Sequence, residues 1–364
     1  MGQPIQTRLK VLFTASQKDV TESLAPDLLS FTYTDKETDE ADEISLTLKD
    51  PDGKWAAGWK PEGGEIVEAY IYGGTVEEKK SSLFCGKFYV DSQKVSGSPR
   101  VFEIGAVSIP LNKPIRRKIK SRAWEKSDLK KIAGAIAEEG GLALLFDSEV
   151  NPSFDRQDQQ RESDLKFLGR LCQDSGLSIK VTDSKLVIFD QAAYEKKTPV
   201  KTLTLGNSQI LSWNFEAATS ETYKSVTVSY RNPAKKTKGS AGGYTLDVHG
   251  HLVAKKKGGN PAVMEYTYTD PEADENGQEY ALKKRAANVE DAKRLAKAKL
   301  RELNRRAVTG SITLIGDPGL VAGVVVTCKG FGSFDGNFIV EQAAHSISAG
   351  YTTALTLRRV NTNF

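Results

Sequence analysis

Leu9, Val11 and Phe13 alternate with polar neighbours. So do Leu29, Phe31 and Tyr33, and then Ile44, Leu46 and Leu48. A period of two puts every second side chain on one face, so each run predicts a strand with one buried side and one wet side. Asp50-Pro51-Asp52-Gly53 has the chemistry of a tight turn, with proline presetting φ and glycine accepting a positive one. Further strands are predicted over residues 66–72, 88–95 and 101–109, each bounded by glycine, proline or serine. Many short antiparallel strands at this spacing predict a small barrel or sandwich over 1–110.

The period then changes. Residues 112–122 form a basic connector. Leu129, Ile132, Ala133, Ile136 and Ala137 share one face of a helix that Ser127 can cap and Gly140-Gly141 can end. A second helix is predicted from 163 to 174 on the stripe Leu165, Leu168, Leu171 and Cys172, with Gly176 as its stop. Two short strands, 177–182 and 185–189, turn on Asp183-Ser184. Residues 111–196 therefore read as a small α+β domain. Alternation returns over 203–230 and again over 311–315, 323–329, 338–347 and 353–359, which makes 197–364 a second β domain. It is interrupted at about 231–306. The interruption holds a polar stretch with Gly239, Gly242, Gly243, Gly258 and Gly259, read as a mobile excursion with a hairpin. A long helix over 289–306 follows, with Val289, Ala292, Ala296, Leu300 and Leu303 on one face and Lys and Arg on the other. The expected fold is mainly β with α+β: two similar barrel-like β domains separated by a small α+β domain.

The similarity of the two β domains is itself a sequence observation. Leu28-Leu29-Ser30-Phe31-Thr32-Tyr33 matches Ile210-Leu211-Ser212-Trp213-Asn214-Phe215. Residues 44–47 then match 226–229 at the same spacing. Gly86-Lys87-Phe88-Tyr89-Val90-Asp91 matches Gly336-Asn337-Phe338-Ile339-Val340-Glu341, the preceding strands 66–72 and 324–329 correspond, and 101–109 corresponds to 353–359. Two like units in one chain can take two like positions around a ring, so three chains would offer six, and a closed trimer could abut a six-fold partner.

The chain has 364 residues, more than one typical domain. Hydrophobic residues make up 39% and charged residues 27%, a folded globular composition. No run approaches the ~20 apolar residues that span a bilayer. Residues 1–16 lack a signal pattern and Gln6 breaks a myristoylation pattern, so cytoplasmic synthesis is expected. With 51 basic and 47 acidic side chains the net charge is only +4, which excludes a strong non-specific attraction for nucleic acid. Cys85, Cys172 and Cys328 stand far apart without a CxxC, and imply neither a disulfide framework nor a zinc site.

Candidate chemistry is sparse. His249 and His251 would share a strand face, but no third ligand stands nearby, so a polar loop is expected. His345 sits in an alternating strand without a Ser–Asp arrangement and reads as a packed histidine. Gly330-Phe331-Gly332 with Gly336 lacks phosphate-loop spacing and precedes a strand, so it reads as a hairpin turn. The acidic run Asp35, Glu37, Asp39, Glu40, Asp42 and Glu43 has no apolar frame and reads as a solvated loop, with a lesser option of docking on a neighbouring subunit. The basic groups at 113–122 and 283–306 read as solvent faces or inter-subunit ion pairs. No catalytic, cofactor-binding or metal-ligating residue is expected.

Four stretches carry a family resemblance: 28–55 (LLSFTYTDKETDEADEISLTLKDPDGKW), 85–92 (CGKFYVDS), 160–190 (QRESDLKFLGRLCQDSGLSIKVTDSKLVIFD) and 335–359 (DGNFIVEQAAHSISAGYTTALTLRR). Within them, Glu162-Ser163-Asp164 before Phe167-Leu168, and Val340, His345 and Tyr351-Thr352-Thr353 near the end, are the specific parts. On these the chain resembles the late control gene D protein family of phages, the baseplate hub of contractile tails. The resemblance implies a homotrimer with two tube-type β domains per chain, joining the hexameric tail tube, or a tube-initiator protein, to a trimeric central spike beside other baseplate proteins. Spike proteins of type VI secretion carry a similar hub module. No spike-like repeat follows the last strand here, so a spike would be a separate chain. It implies a virion component, located in the tail baseplate and assembled in the bacterial host cytoplasm, without specific nucleic-acid binding or membrane insertion. The alternatives are a tail-associated peptidoglycan hydrolase, which needs paired acids in a cleft, and a receptor- or glycan-binding tail protein, which needs a groove of exposed aromatics.

Overall fold

The computed structural model describes residues 7–13, 18–38, 41–73, 81–109, 115, 118–182, 184–206, 209–218, 222–231, 244–246, 252–254, 263–271 and 277–361. His249, His251, Asp39, Glu40 and most of the polar stretch before residue 277 lie outside them.

The first strands are β1 (Arg8–Phe13), the two-residue β2 (Lys18–Asp19), β3 (Leu28–Lys36), β4 (Glu43–Lys49), β5 (Ile66–Gly73), β6 (Ser81–Ser96) and β7 (Val101–Val107). They pair antiparallel in the order β3-β4-β7-β6-β5-β1-β2. Alternation works as predicted: β3, β4, β5 and β7 each bury every second side chain, and Phe31, Leu46, Phe88, Phe102 and Ile104 meet in one core. The long β6 serves two partners, its first half lying on β5 and its second half on β7.

The middle comprises β8 (Ile119–Asp128), α1 (Leu129–Gly140), β9 (Ala143–Asp147), β10 (Ser153–Ser163), α2 (Asp164–Gln173), β11 (Ser178–Thr182), β12 (Lys185–Phe189) and the short α3 (Gln191–Glu195). Both predicted helices form, and their apolar faces share a core with β11 and β12. The cap of α1 is Asp128 rather than Ser127: Asp128 is the last residue of β8, directly before the helix, and its carboxylate accepts the Lys131 N–H at 2.9 Å. Gly141 closes the helix in the left-handed conformation at φ 61°. The β8–β10 ribbon is not legible as strand, since it is polar on both faces. Its order comes from charge: Lys120 and Arg122 reach Asp164, the first residue of α2, at 2.5 and 2.8 Å. The connector read at 112–122 therefore becomes strand from Ile119 onward.

Beyond the middle come β13 (Lys201–Thr204) and β14 (Ile210–Ala217). The chain then builds a separate sheet from β15 (Tyr223–Arg231), β16 (Tyr244–Leu246), β17 (Leu252–Ala254), β18 (Val263–Thr269) and β19 (Gln278–Ala286), covered by α4 (Val289–Asn304). It returns as β20 (Val308–Ile315), β21 (Val325–Lys329), β22 (Gly336–Ile347) and β23 (Tyr351–Arg359), pairing in the order β14-β20-β23-β22-β21-β13. No helix among the described residues is long and apolar enough to cross a membrane.

The runs β3-β4-β7-β6-β5 and β14-β20-β23-β22-β21 follow the same path, with matching irregularities. Leu29 is the extra, bulged residue between β3 and β4, and Leu211 between β14 and β20. Asp91 bulges against β7, and Glu341 against β23. Gly64 (φ 83°) and Gly323 (φ 82°) each donate a backbone N–H, to the carbonyls of Val90 and Val340, both at 2.8 Å. Phe88 faces Val67 as Phe338 faces Val326. Bulges re-aim a strand and are not interchangeable along it, so four coincidences establish a structural repeat. One sequence match fails. The strand in the position of β4 is β20, whereas residues 226–229 belong to β15 in the separate sheet. Half-buried strands share one alternating pattern whatever their sheet. The interruption accordingly spans 218–307, between the first and second strands of the copy, and is wider than the expected 231–306.

The two runs also fuse. Residues 342–347 of β22 pair antiparallel with 31–36 of β3, so one sheet crosses from the second run into the first. The equivalent residues Phe31 and Trp213 sit very differently, at 0% and 47% exposure. Phe31→Ala is expected to cost about 3–5 kcal/mol, and Trp213→Ala about 1 kcal/mol or less, as urea midpoints at constant m-value of the isolated chain would read.

Candidate assembly interface

The seam between β22 and β3 is built on small hydroxyls and one ring stack. Thr32 and Ser346 share a hydrogen bond at 3.2 Å, and the rings of Tyr33 and His345 stack at 5.9 Å. His345 is wholly buried, with Nδ1 at 2.8 Å from the Tyr351 hydroxyl and 3.3 Å from that of Thr353. Burial pushes its pKa down to about 4, so it is neutral at physiological pH.

Two buried ion clusters flank this seam, and both use the acidic run read as a solvated loop. Asp35, Glu37 and Asp42 are all buried. Lys180, on β11, lies 2.5 Å from Asp35 and 2.9 Å from Asp42. Asp35 also accepts the Ala322 N–H at 2.9 Å, and Ser108 links the Asp42 backbone N–H to the Val181 carbonyl. Lys180 therefore fastens the middle unit to the first strand run, and Asp35 carries the link on to Ala322 of the second. Burial pushes the Asp42 carboxyl up to about 6. On the other side, the fully buried Arg358 meets Glu37 at 3.4 Å, Glu341 at 3.3 Å and Glu195, and Glu195 also meets Arg301 at 2.7 Å. This cluster ties the end of β3 to α3, α4, β22 and β23. Burial holds the Glu37 carboxyl above the usual range and the surrounding carboxylates keep Arg358 charged.

The acids misled because their partners are remote: Lys180 is 145 residues from Asp35, and Arg358 is 321 from Glu37. The basic groups are corrected in part, since Lys283, Arg285 and Lys297 lie exposed as read. Lys120 and Arg122 serve Asp164 and Glu139, Lys284 pairs with Asp174, and Arg301 is buried, so these are ties within the chain. Gly330-Phe331-Gly332 leads into a single 3-10 turn, with the Phe331 N–H held by Asp335 at 2.6 Å, and then into β22.

What the sequence did not single out is the pair of free edges. β14 ends the sheet, and Leu211 and Trp213 on it are 57% and 47% exposed. The far half of β6, residues 91–96, pairs with β7 on one side; among the described residues no strand lies on the other. Val95 there is 50% exposed. These two edges are the counterparts of the β3 and β22 edges that meet inside the chain. Unpaired edges with exposed apolar side chains are docking surfaces for another strand.

The sequence model of a family described as phage tail baseplate hub (GPD) matches residues 113–351. The chain is 28% identical to the probable baseplate hub protein of Escherichia phage P2, over 93% of this chain and 90% of that protein. Its fold is similar to that of a tail protein from Neisseria meningitidis MC58, with a TM-score of 0.68 at 15% identity over 97% and 96% of the two chains. It is also similar to the E. coli c3393 protein, at a TM-score of 0.55 and 11% identity over 93% of this chain and 75% of that one. The latter is described as a component of the type VI secretion system with structural similarity to the T4 tail proteins gp27 and gp5.

Arg358→Met is expected to lose about 3–5 kcal/mol at neutral pH, because Glu37 stays buried without its cation and Glu195 keeps only Arg301; denaturant titration reads this directly. His345 and Asp42 act with opposite sign in the acid range. His345 protonates near 6.5 when unfolded and only near 4 when folded, so its stabilisation is complete above 6.5 and is lost towards pH 4, on the order of 3 kcal/mol. Asp42 takes up its proton near 6 folded and 3.8 unfolded, so it favours the fold increasingly as pH falls through that window. His345→Gln should flatten the acid loss between pH 6.5 and 4, and Asp42→Asn should steepen it, in urea midpoints across a pH series.

Proposed function

Because this chain belongs to the phage tail baseplate hub (GPD) family, we propose that it acts as a homotrimeric adaptor: three copies present six like strand runs to a hexameric tail tube or tube-initiator protein, and a three-fold base to a separate spike. The observation that carries this reading is the repeat, with its shared bulges and its edge-to-edge fusion inside one chain. A unit that already joins to its own copy needs only to repeat that step to go round a ring. The wall-forming domains are 1–110 and 197–364. The α+β domain at 111–196 and the inserted sheet with α4 are appendages fixed to them.

The work is mechanical. A collar that transmits load needs fixed angles between its parts, and the Lys180 and Arg358 clusters supply them. The likeness to the E. coli c3393 protein supports a module shared with contractile secretion devices. Assembly takes place in the host cytoplasm, and the finished collar resides in the tail baseplate with the other baseplate proteins. Hydrolysis finds no support in the acids of the sequence run, since Asp35, Glu37 and Asp42 are packed against cations rather than facing each other across a cleft.

Native mass measurement of the full chain, alone and with its spike protein, is the test. Three copies of the 39.8 kDa chain are expected, alone or with the added mass of the spike. A monomer in both overturns the adaptor.

A further inference from the structure

We infer that the seam between neighbouring copies replicates the seam inside each chain, with residues 92–96 of β6 in one copy pairing antiparallel with β14 of the next. This rests on the trimeric reading above and specifies its contacts.

The repeat carries a register with it. Inside the chain, Ala344 lies opposite Thr34, His345 opposite Tyr33 and Ser346 opposite Thr32. The shared bulges fix the correspondences. Asp91 stands for Glu341, so Lys94, Val95 and Ser96 stand for Ala344, His345 and Ser346. Leu211 stands for Leu29, so Asn214, Phe215 and Glu216 stand for Thr32, Tyr33 and Thr34. Transferred to two copies, the register sets Lys94 against Glu216, Val95 against Phe215 and Ser96 against Asn214. Lys94, which also pairs with Glu103 of β7 at 3.3 Å, meets an anion, an apolar side chain meets a ring, and a hydroxyl meets an amide. Nothing in the transfer required this match, so it is an independent check. A slip of one residue would place Val95 opposite Asn214 or Glu216 and lose both the ion pair and the apolar pair.

The occupant is a second copy because the only strand of known fit for either edge is the other edge. Both are present in every chain, at opposite ends of the run β14-β20-β23-β22-β3-β4-β7-β6. The contact is head-to-tail, and ring closure consumes both edges. It also sets the exposed Val95 against Phe215 and ends beside Trp213, the counterpart of the buried Phe31.

The test is a cysteine pair in the full-length chain, Lys94→Cys with Glu216→Cys; the native Cys85, Cys172 and Cys328 are buried. Directly opposed strand residues lie within disulfide reach, and diagonal ones do not. After mild oxidation of the native trimer, a non-reducing gel should show covalent dimers and trimers, none larger, all lost on reduction. Lys94→Cys with Asn214→Cys should give none. In parallel, Lys94→Glu should weaken assembly roughly 2–5-fold per seam, and adding Glu216→Lys should restore it. A native trimer that fails to cross-link, or that cross-links equally through the shifted pair, overturns this seam and leaves the hub reading standing. A monomer with and without the spike protein overturns the hub reading itself.

Discussion

An antiparallel sheet leaves a row of unpaired N–H and C=O groups along each edge, and most of this structure follows from how those edges are managed. Within the chain, one edge of the first run is closed by the second: β22 lies on β3, and a single sheet runs from β14 to β2. That junction fixes the two runs in line rather than as separate beads. It also leaves a matching pair of edges unfinished, on β6 and β14. A chain that ended its sheets with covered edges would be a self-contained monomer. On the adaptor reading, this one is a segment of a ring that closes only with further copies.

A sheet junction alone is a hinge, because its hydrogen bonds tolerate twist. The ion clusters remove that freedom. Lys180 reaches from the middle unit into the pair Asp35 and Asp42, and Asp35 in turn holds the backbone of Ala322 in the second run. Arg358 draws Glu37 of the first run to Glu195 and Glu341. Burying such charges costs desolvation, and apolar packing would stabilise the fold at least as well. Directional ties between remote segments fit a role in which relative angle matters more than stability. The same clusters carry the strongest dependence on correct folding, since each removes its polar groups from water only when three or more segments are already in place.

Periodicity made the fold class legible. β3, β4, β5 and β7 each alternate over a single core, and the 3.6-residue stripes of α1, α2 and α4 are unmistakable. The match of residues 86–91 with 336–341 was legible too, because a glycine at positive φ and a bulge constrain more than apolarity does. The match of 44–47 with 226–229 was misleading for the converse reason: it rested on alternation alone. The β8–β10 ribbon escaped because it buries little apolar surface and is ordered by Lys120, Arg122 and Asp164. Asp35, Glu37 and Asp42 escaped because burial of a charge is decided by its partner, and the partners stand far along the chain. The free edges were invisible because an edge is a property of pairing order, not of composition.

The two seams differ in chemistry, and the difference follows from when each forms. The inner seam closes as the chain folds and never meets solvent in a finished molecule. It can therefore use a wholly buried histidine with a tyrosine ring against it. The outer edges must stay soluble until another copy arrives. They carry Lys94 and Glu216 at the equivalent places, and charge on an edge strand discourages pairing with any partner that does not answer it. Lys94 is held by Glu103 of β7 within the chain, and in the proposed register Glu216 shares it across the seam. His345 has Val95 as its counterpart at the outer seam, so contact between copies loses the group that makes the inner seam sensitive to acid. On the proposed pairing, duplication supplies the geometry of a ring, and divergence between the copies separates the contact made during folding from the contact made during assembly.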